Sequence, residues 1–433
     1  MADTYRIPLF KPKAVSQETG VKADVLRAWE RRYGLPQPAR SPGGHRLYSQ
    51  RDIDTIKWLV ARQREGLSIK QAVELWRGLE ARGQEPLQKL PPAPPVALPA
   101  GDILAEMRQA WVSACLSFDE SLAEQTLAQA FALYPPETVC LQLLQKGLAQ
   151  IGEGWYAGQV TVHQEHFASA LALRRVGSLV LHAPPPTRPG RIITACPPRE
   201  AHTFSLLLFT YLLRRRGWEV LYLGADVPWQ QMKAAIAHIK PRLVILAAQR
   251  LSTAATLLEM AHSLQEEHLL PSFGGGIFNR LPALRTRIPG HFLGATLEQA
   301  VPVVEELMTT HRPPPALTPV APDHLEALAY YRDRRTEIEN RVWETLRSQG
   351  VAPDSFLELN EQFAPALTAA LALGDIAFLD NQWQWLKGLG QSDRIPTTLL
   401  YAYLHAYQQA TQALLDERDA LLVRWMVQQL DTA

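Results

Sequence analysis

The sequence predicts a multidomain chain. A small basic helical module with a β-hairpin comes first, then a four-helix bundle, a doubly wound α/β layer and a further all-helical region. Three observations predict this. The chain has 433 residues, and length alone suggests roughly three or four domains. Proline-rich stretches interrupt it at 85–101 (EPLQKLPPAPPVALPAG) and 311–323 (HRPPPALTPVAPD), with a shorter one at 182–190 (HAPPPTRPG). Such composition favours extended, semi-rigid linkers. The hydrophobic period also changes from segment to segment, from helical spacing to short unbroken apolar runs and back. The expected parts are 1–84, a linker at 85–101, 102–181, 190–310, a linker at 311–322, and 323–433.

In 1–84, VSQETG reads as a short helix closed by a glycine turn, and KADVLRAWERRYGL as a second helix. Val25, Leu26, Trp29 and Tyr33 are its expected packing positions, leaving Arg27, Arg31 and Arg32 outward. In PARSPGGHRLYS, Gly43 and Gly44 stand at a hairpin tip flanked by Arg40, His45, Arg46 and Tyr48. Any one of these arginines alone would read as a solvated helix face. Together, a helix for the major groove and a basic hairpin for the adjacent phosphates make a winged helix-turn-helix. The charge agrees. The whole chain is near neutral, with 44 Lys and Arg against 43 Asp and Glu, but residues 1–82 hold 16 against 9. A basic module on a neutral body points to a polyanion partner.

Residues 102–181 contain four segments of i, i+3, i+4 apolar spacing with short connections, which predict the bundle. Within it, GWYAGQVTVHQEHF and the residues just after it place Val162, Glu165, His166 and Ser169 on one helical face, with nine residues between Trp155 and Glu165. Residues 190–310 alternate RIITACP, EVLYLGAD, RLVILAAQ and PSFGGGIF with helical stretches. A short fifth strand, HFLG, precedes the last helix. That alternation predicts a Rossmann-like, flavodoxin-like parallel sheet covered on both faces, with ligands beyond the carboxyl ends of its strands. Glu200 and His202 fall in the first strand-to-helix loop. There a histidine can ligate a metal through one nitrogen while a carboxylate holds the other N–H. Residues 323–433 are helical again, with an aromatic cluster of Trp383, Trp385, Tyr401, Tyr403, His405 and Tyr407 expected mainly as core. Their segment ALTAALALGDIAFLDNQWQWL faintly echoes the bundle.

Cys115, Cys140 and Cys196 are far apart and form no CxxC pair, which argues against a zinc knuckle or a disulfide framework and fits a reducing cytoplasm. MADTYRIPLF has no basic start followed by a long apolar run, so no signal peptide is expected. No stretch of about 18 uncharged apolar residues suggests a membrane span.

The segment LRAWERRYGLPQPARSPGGHRLYS resembles the DNA-binding domain of MerR-type transcription regulators. Such regulators read operators as dimers, so double-stranded operator DNA and self-association as dimer or tetramer are implied. CPPREAHTFSLLLF resembles cobalamin-binding domains, whose motif is Asp/Glu-x-His-x-x-Gly. The resemblance implies His202 as the lower axial cobalt ligand, Glu200 as its partner, and Gly274 and Gly275 near the nucleotide tail. Trp155 followed after nine residues by Glu165-His166 is similar to the cap of CarH-type photoreceptor regulators. It implies that Trp155, Val162, Glu165 and His166 pack over a 5′-deoxyadenosyl group. The cofactor implied is adenosylcobalamin, the function a light-responsive repressor, and no catalytic residue is assigned. The chain departs at Ser205, where the motif has glycine, and at Ala247, where a serine is common. Tyr156 stands where members with a bis-histidine photoproduct have histidine. Two other readings stay open. One is a light-independent sensor of a corrinoid, another tetrapyrrole or a partner protein. The other is a corrinoid methyl-transfer carrier, which would have no use for the basic module.

Overall fold

The computed structural model describes residues 8, 10–40, 44–64, 68–82, 86, 102–310, 312–391, 395–414 and 420–431. Gly43 and nearly all of the 85–101 linker lie outside them. The chain forms two compact units, residues 1–100 and 101–433.

In the first unit, α1 (Pro12–Thr19) and α2 (Ala23–Tyr33) precede a two-stranded hairpin, β1 (Ala39–Arg40) and β2 (Arg46–Leu47). The strands pair antiparallel, Ala39 opposite Leu47 and Arg40 opposite Arg46. Helices α3 (Gln50–Arg64) and α4 (Ile69–Ala81) follow, and α4 opens with a reciprocal capping box between Ser68 and Gln71. Leu26, Trp29, Tyr48, Ile53 and Trp76 build the core. Helix α2 buries Leu26 and Trp29 one turn apart, with Tyr33 half-buried, whereas Val25 faces solvent rather than the core as its sequence position suggested.

The second unit starts with the bundle: α5 (Asp102–Leu116), α6 (Glu120–Leu133), α7 (Pro136–Thr138), α8 (Lys146–Tyr156) and α9 (Val162–Leu181). A π-helical segment, Val139–Gln145, joins α7 to α8, so the expected third helix is one run with a locally widened turn. Next come β3 (Arg191–Ala195), α10 (Phe204–Arg215), β4 (Glu219–Gly224), α11 (Trp229–Ile239), β5 (Leu243–Ala247), α12 (Leu251–Glu266), β6 (Pro271–Gly274), α13 (Gly276–Arg280), β7 (His291–Phe292) and α14 (Leu297–Thr309). The five strands pair in parallel in the order β4-β3-β5-β6-β7. Side chains alternate between two cores, as period two requires. Ile192, Leu243 and Ile245 enter one core with α10, α14 and the bundle. Ile193, Val244 and Leu246 enter the other with α11 and α12.

The second core continues into the C-terminal helices: α15 (Pro322–Ser348), α16 (Pro353–Leu373), α17 (Phe378–Gln391), α18 (Thr397–Leu414) and α19 (Ala420–Asp431). Helix α16 packs on α12, so these helices cover the sheet face opposite the bundle. Trp383, Tyr403 and Tyr407 are core residues, Trp385 and Tyr401 lie half-buried at its edge, and His405 is exposed and leaves the expected cluster. Residues 312–321 form no helix or strand, and the Thr318 N–H donates to the Thr286 carbonyl at 2.8 Å.

Candidate cofactor site and nucleic-acid interface

The strand order reverses between β3 and β5, and the helices that follow them leave to opposite faces, which opens a crevice at their carboxyl ends. Glu200 and His202 occupy the β3–α10 loop at this point. Glu200 is fully buried. Its Oε2 accepts hydrogen bonds from the Gln249 backbone N–H at 2.7 Å and the Thr253 hydroxyl at 2.6 Å. Its Oε1 meets the His202 backbone N–H at 3.0 Å and His202 Nδ1 at 2.7 Å. Burial pushes this carboxyl up, but the four hydrogen bonds outweigh burial and hold it at about 2. An ionised carboxylate only accepts, so the proton between the two groups belongs to Nδ1. That fixes the tautomer and leaves the Nε2 lone pair for a metal, while the imidazole itself is 51% exposed. One imidazole is one ligand. It suits a metal that brings most of its coordination sphere with it, as a cobalt corrinoid does.

Beside this pair lies a cavity of about 190 Å³, lined by Gln145, Ser205, Phe209, Ala247, Gly274 and Gly275 among others. Gly275 has φ 121°, and a Cβ there would sit 2.0 Å from the Ala248 carbonyl oxygen, so the loop closes only around glycine. At Gly274 a Cβ would meet open space, because the missing side chain is part of the cavity. The donor set and this cleft fit a corrinoid with a buried tail. The Ser205 residue takes up some of the room that glycine would leave.

Trp155 is the penultimate residue of α8 and is half-buried. Glu165 lies in the first turn of α9, where its Oε1 accepts from the Ser169 hydroxyl at 2.7 Å and its Oε2 lies 3.7 Å from His166 Nε2. The His166 side chain is 74% exposed, and Val162 is exposed as well. The structure thus joins Glu165, His166 and Ser169 as sequence spacing implied.

In the first unit, Arg27, Arg31 and Arg32 are exposed along α2, with Arg27 ion-paired to Asp24. Arg40 and His45 are exposed on the hairpin. Arg46 Nε donates to Glu30 Oε2 at 2.6 Å, which clips the hairpin to α2. The Tyr33 carbonyl accepts from Arg77 at 2.6 Å. Tyr48 corrects the sequence reading. Its side chain is 1% exposed in the core, and its backbone pairs both ways with Phe10, so it shapes the hairpin base and cannot reach a phosphate.

Residues 10–79 match the MerR HTH family regulatory proteins, and residues 107–179 match the B12 binding domain. The HTH-type transcriptional repressor CarH of Myxococcus xanthus is 33% identical over 250 residues, spanning 56% of this chain and 78% of that protein. The chain belongs to the CarH/CarA family. The repressor CarA of the same organism is 32% identical over 241 residues, 55% of this chain and 76% of that one. The monomethylamine corrinoid protein of Methanosarcina barkeri aligns in structure at 19% identity and a TM-score of 0.38, covering 47% of this chain and 97% of that chain.

For this CarH/CarA-family chain, sequence reasoning missed Gln249 and Thr253, which complete the setting of Glu200, and Gln145, which reaches the sheet's cavity from the bundle. None has a local signal, since each meets its partner only through topology. It also missed Trp385, which stacks on Trp155 with ring centroids 6.0 Å apart and planes 26° apart. There the signal existed. Two tryptophans at i and i+2 point to nearly opposite sides of a helix, so both could not enter one core.

Proposed function

We propose that this protein is a cobalamin-dependent transcription repressor: the first unit reads operator DNA and the second holds adenosylcobalamin as a light-sensitive chromophore. The observation that carries this is the buried, ionised Glu200 fixing His202 at the topological switch point of a sheet capped by the B12-type bundle. In this reading His202 Nε2 is the lower axial ligand and Glu200 holds its tautomer. Ser205, Gly274 and Gly275 bound the nucleotide tail. Trp155, Val162, Glu165 and His166 face the upper group, the indole as a flat wall and the carboxylate and imidazole as hydrogen-bond partners for base and ribose. Adenosylcobalamin supplies, when bound, a cobalt–carbon bond that light cleaves. Arg27, Arg31, Arg32, Arg40, His45 and Arg46 meet the DNA, with Tyr33 behind them. Operator binding as a dimer or tetramer follows from the same reading.

The test is a dark and green-light pair of absorbance and gel-filtration runs on the full chain with adenosylcobalamin. A bound corrin spectrum that changes irreversibly with light, together with a change in oligomeric size, is expected. Failure of the wild type to retain corrin overturns the cofactor assignment. Retention without a light-dependent change favours the light-independent sensor. One observation speaks for that second reading: the Tyr156 hydroxyl donates to the Gln384 carbonyl at 3.2 Å, so this position is engaged with protein and offers no second imidazole.

A further inference from the structure

The two cores of the second unit lie on opposite faces of the sheet. Among the described residues, one side chain packs against both: Trp155. It packs against the bundle's core, and Trp385 of α17 stacks on it. The next residue, Tyr156, hydrogen-bonds the Gln384 carbonyl. Tyr156 also lies so close to Gly388 that a Cβ there would fall 2.1 Å from the phenol oxygen. Glycine inside a helix is unfavourable, and its presence in α17 is explained by this fit. Gln384, Trp385 and Gly388 share one face of α17, while Trp383 points back into the C-terminal core beside Trp425. The contact is therefore shaped on both sides: an indole pair, a hydroxyl on a carbonyl, and a glycine notch for a tyrosine ring.

We infer that α17 is a latch that reads the upper face of the cofactor site, because Trp385 and an adenosyl-sized upper group compete for Trp155. This rests on the cobalamin reading above. A bulky upper group needs an indole face, and Trp385 covers one face of Trp155. A group that takes this face displaces Trp385, and the bundle then parts from α17. A hydroxyl or water above cobalt needs no such face and leaves the latch closed. The C-terminal helices are thus the element that senses which upper group is present. Tyr156 serves as the latch's anchor. The linkage is quantitative: a competing contact lowers the apparent affinity by the fraction of molecules in which it is closed.

The experiment titrates the wild type, Trp385→Ala and Gly388→Ala with adenosylcobalamin and, separately, hydroxocobalamin in the dark, read by absorbance. Hydrogen exchange of the peptide spanning 378–389 is followed in the same samples. Gly388→Ala favours the helix itself and guards against a misfolded truncation. Both variants are expected to bind adenosylcobalamin about three- to tenfold more tightly than the wild type and hydroxocobalamin within twofold of it. In the wild type, α17 is expected to lose exchange protection with adenosylcobalamin only. Equal changes for both cobalamins, weaker adenosylcobalamin binding, or unchanged α17 protection in wild type showing a full corrin spectrum would each overturn the latch while the cobalamin reading stands. A wild type that takes up neither cobalamin overturns both.

Discussion

At the scale of single residues, the site turns on a carboxylate that water never reaches. Four donors surround Glu200, and they do more than offset burial: they hold in place the carboxylate that orients the His202 imidazole. Glu200→Gln is expected to reduce corrin retention by about ten- to a hundredfold, as loss of a carboxylate behind a metal-bound histidine does. Dark absorbance titration checks it. The pH dependence follows from the same bonds. Glu200 is lowered from 4.5 to about 2, so its contribution to stability is complete above about 4.5 and is lost as pH falls through that window. The melting temperature of the wild type is expected to exceed that of Glu200→Gln at pH 6, with the gap narrowing towards pH 3. The cysteines behave oppositely. Burial pushes Cys115, Cys140 and Cys196 each up to about 12, so a thiol reagent at pH 8 is expected to label them only after unfolding. Sequence showed Glu200 and His202 through their spacing. It could not show Gln249 and Thr253, whose place beside them depends on β5 lying next to β3.

At the scale of elements, glycine and arginine positions make the sharpest tests. Gly275→Ala would drive a Cβ into the Ala248 carbonyl, and a loss on the order of 2–3 kcal/mol is expected in chemical denaturation, together with loss of corrin uptake. Arg31 is exposed on α2. Arg31→Ala is expected to weaken operator binding and to reduce the salt slope by about one, measured by fluorescence anisotropy across salt concentrations. Arg46→Ala removes the clip to Glu30 as well as a cation, and is expected to cost more than Arg31→Ala. Helix periodicity revealed α2 and its buried Leu26 and Trp29. Val25, expected inward, faces solvent beside the buried Leu26, and Tyr48, expected outward, is buried, because a two-residue strand such as β2 is too short for alternation to show which way the next side chain turns.

At the scale of the whole molecule, the alternation of strands and helices made the sheet legible, whereas the proline runs at 182–190 and 311–323 lie inside one compact unit. The joining of the parts on either side of them was not legible. The C-terminal helices fuse with the α12 face into one core, which depends on side chains far apart in sequence. The cavity beside Ser205 shows the same principle on the other face. Gln145, at the end of the π-helical segment, forms part of its wall. Cap and sheet are therefore not interchangeable modules. A chimaera that borrows a bundle from a relative would bring a different residue to this wall, so a swap made at 182–190 is expected to change the shape of the cavity.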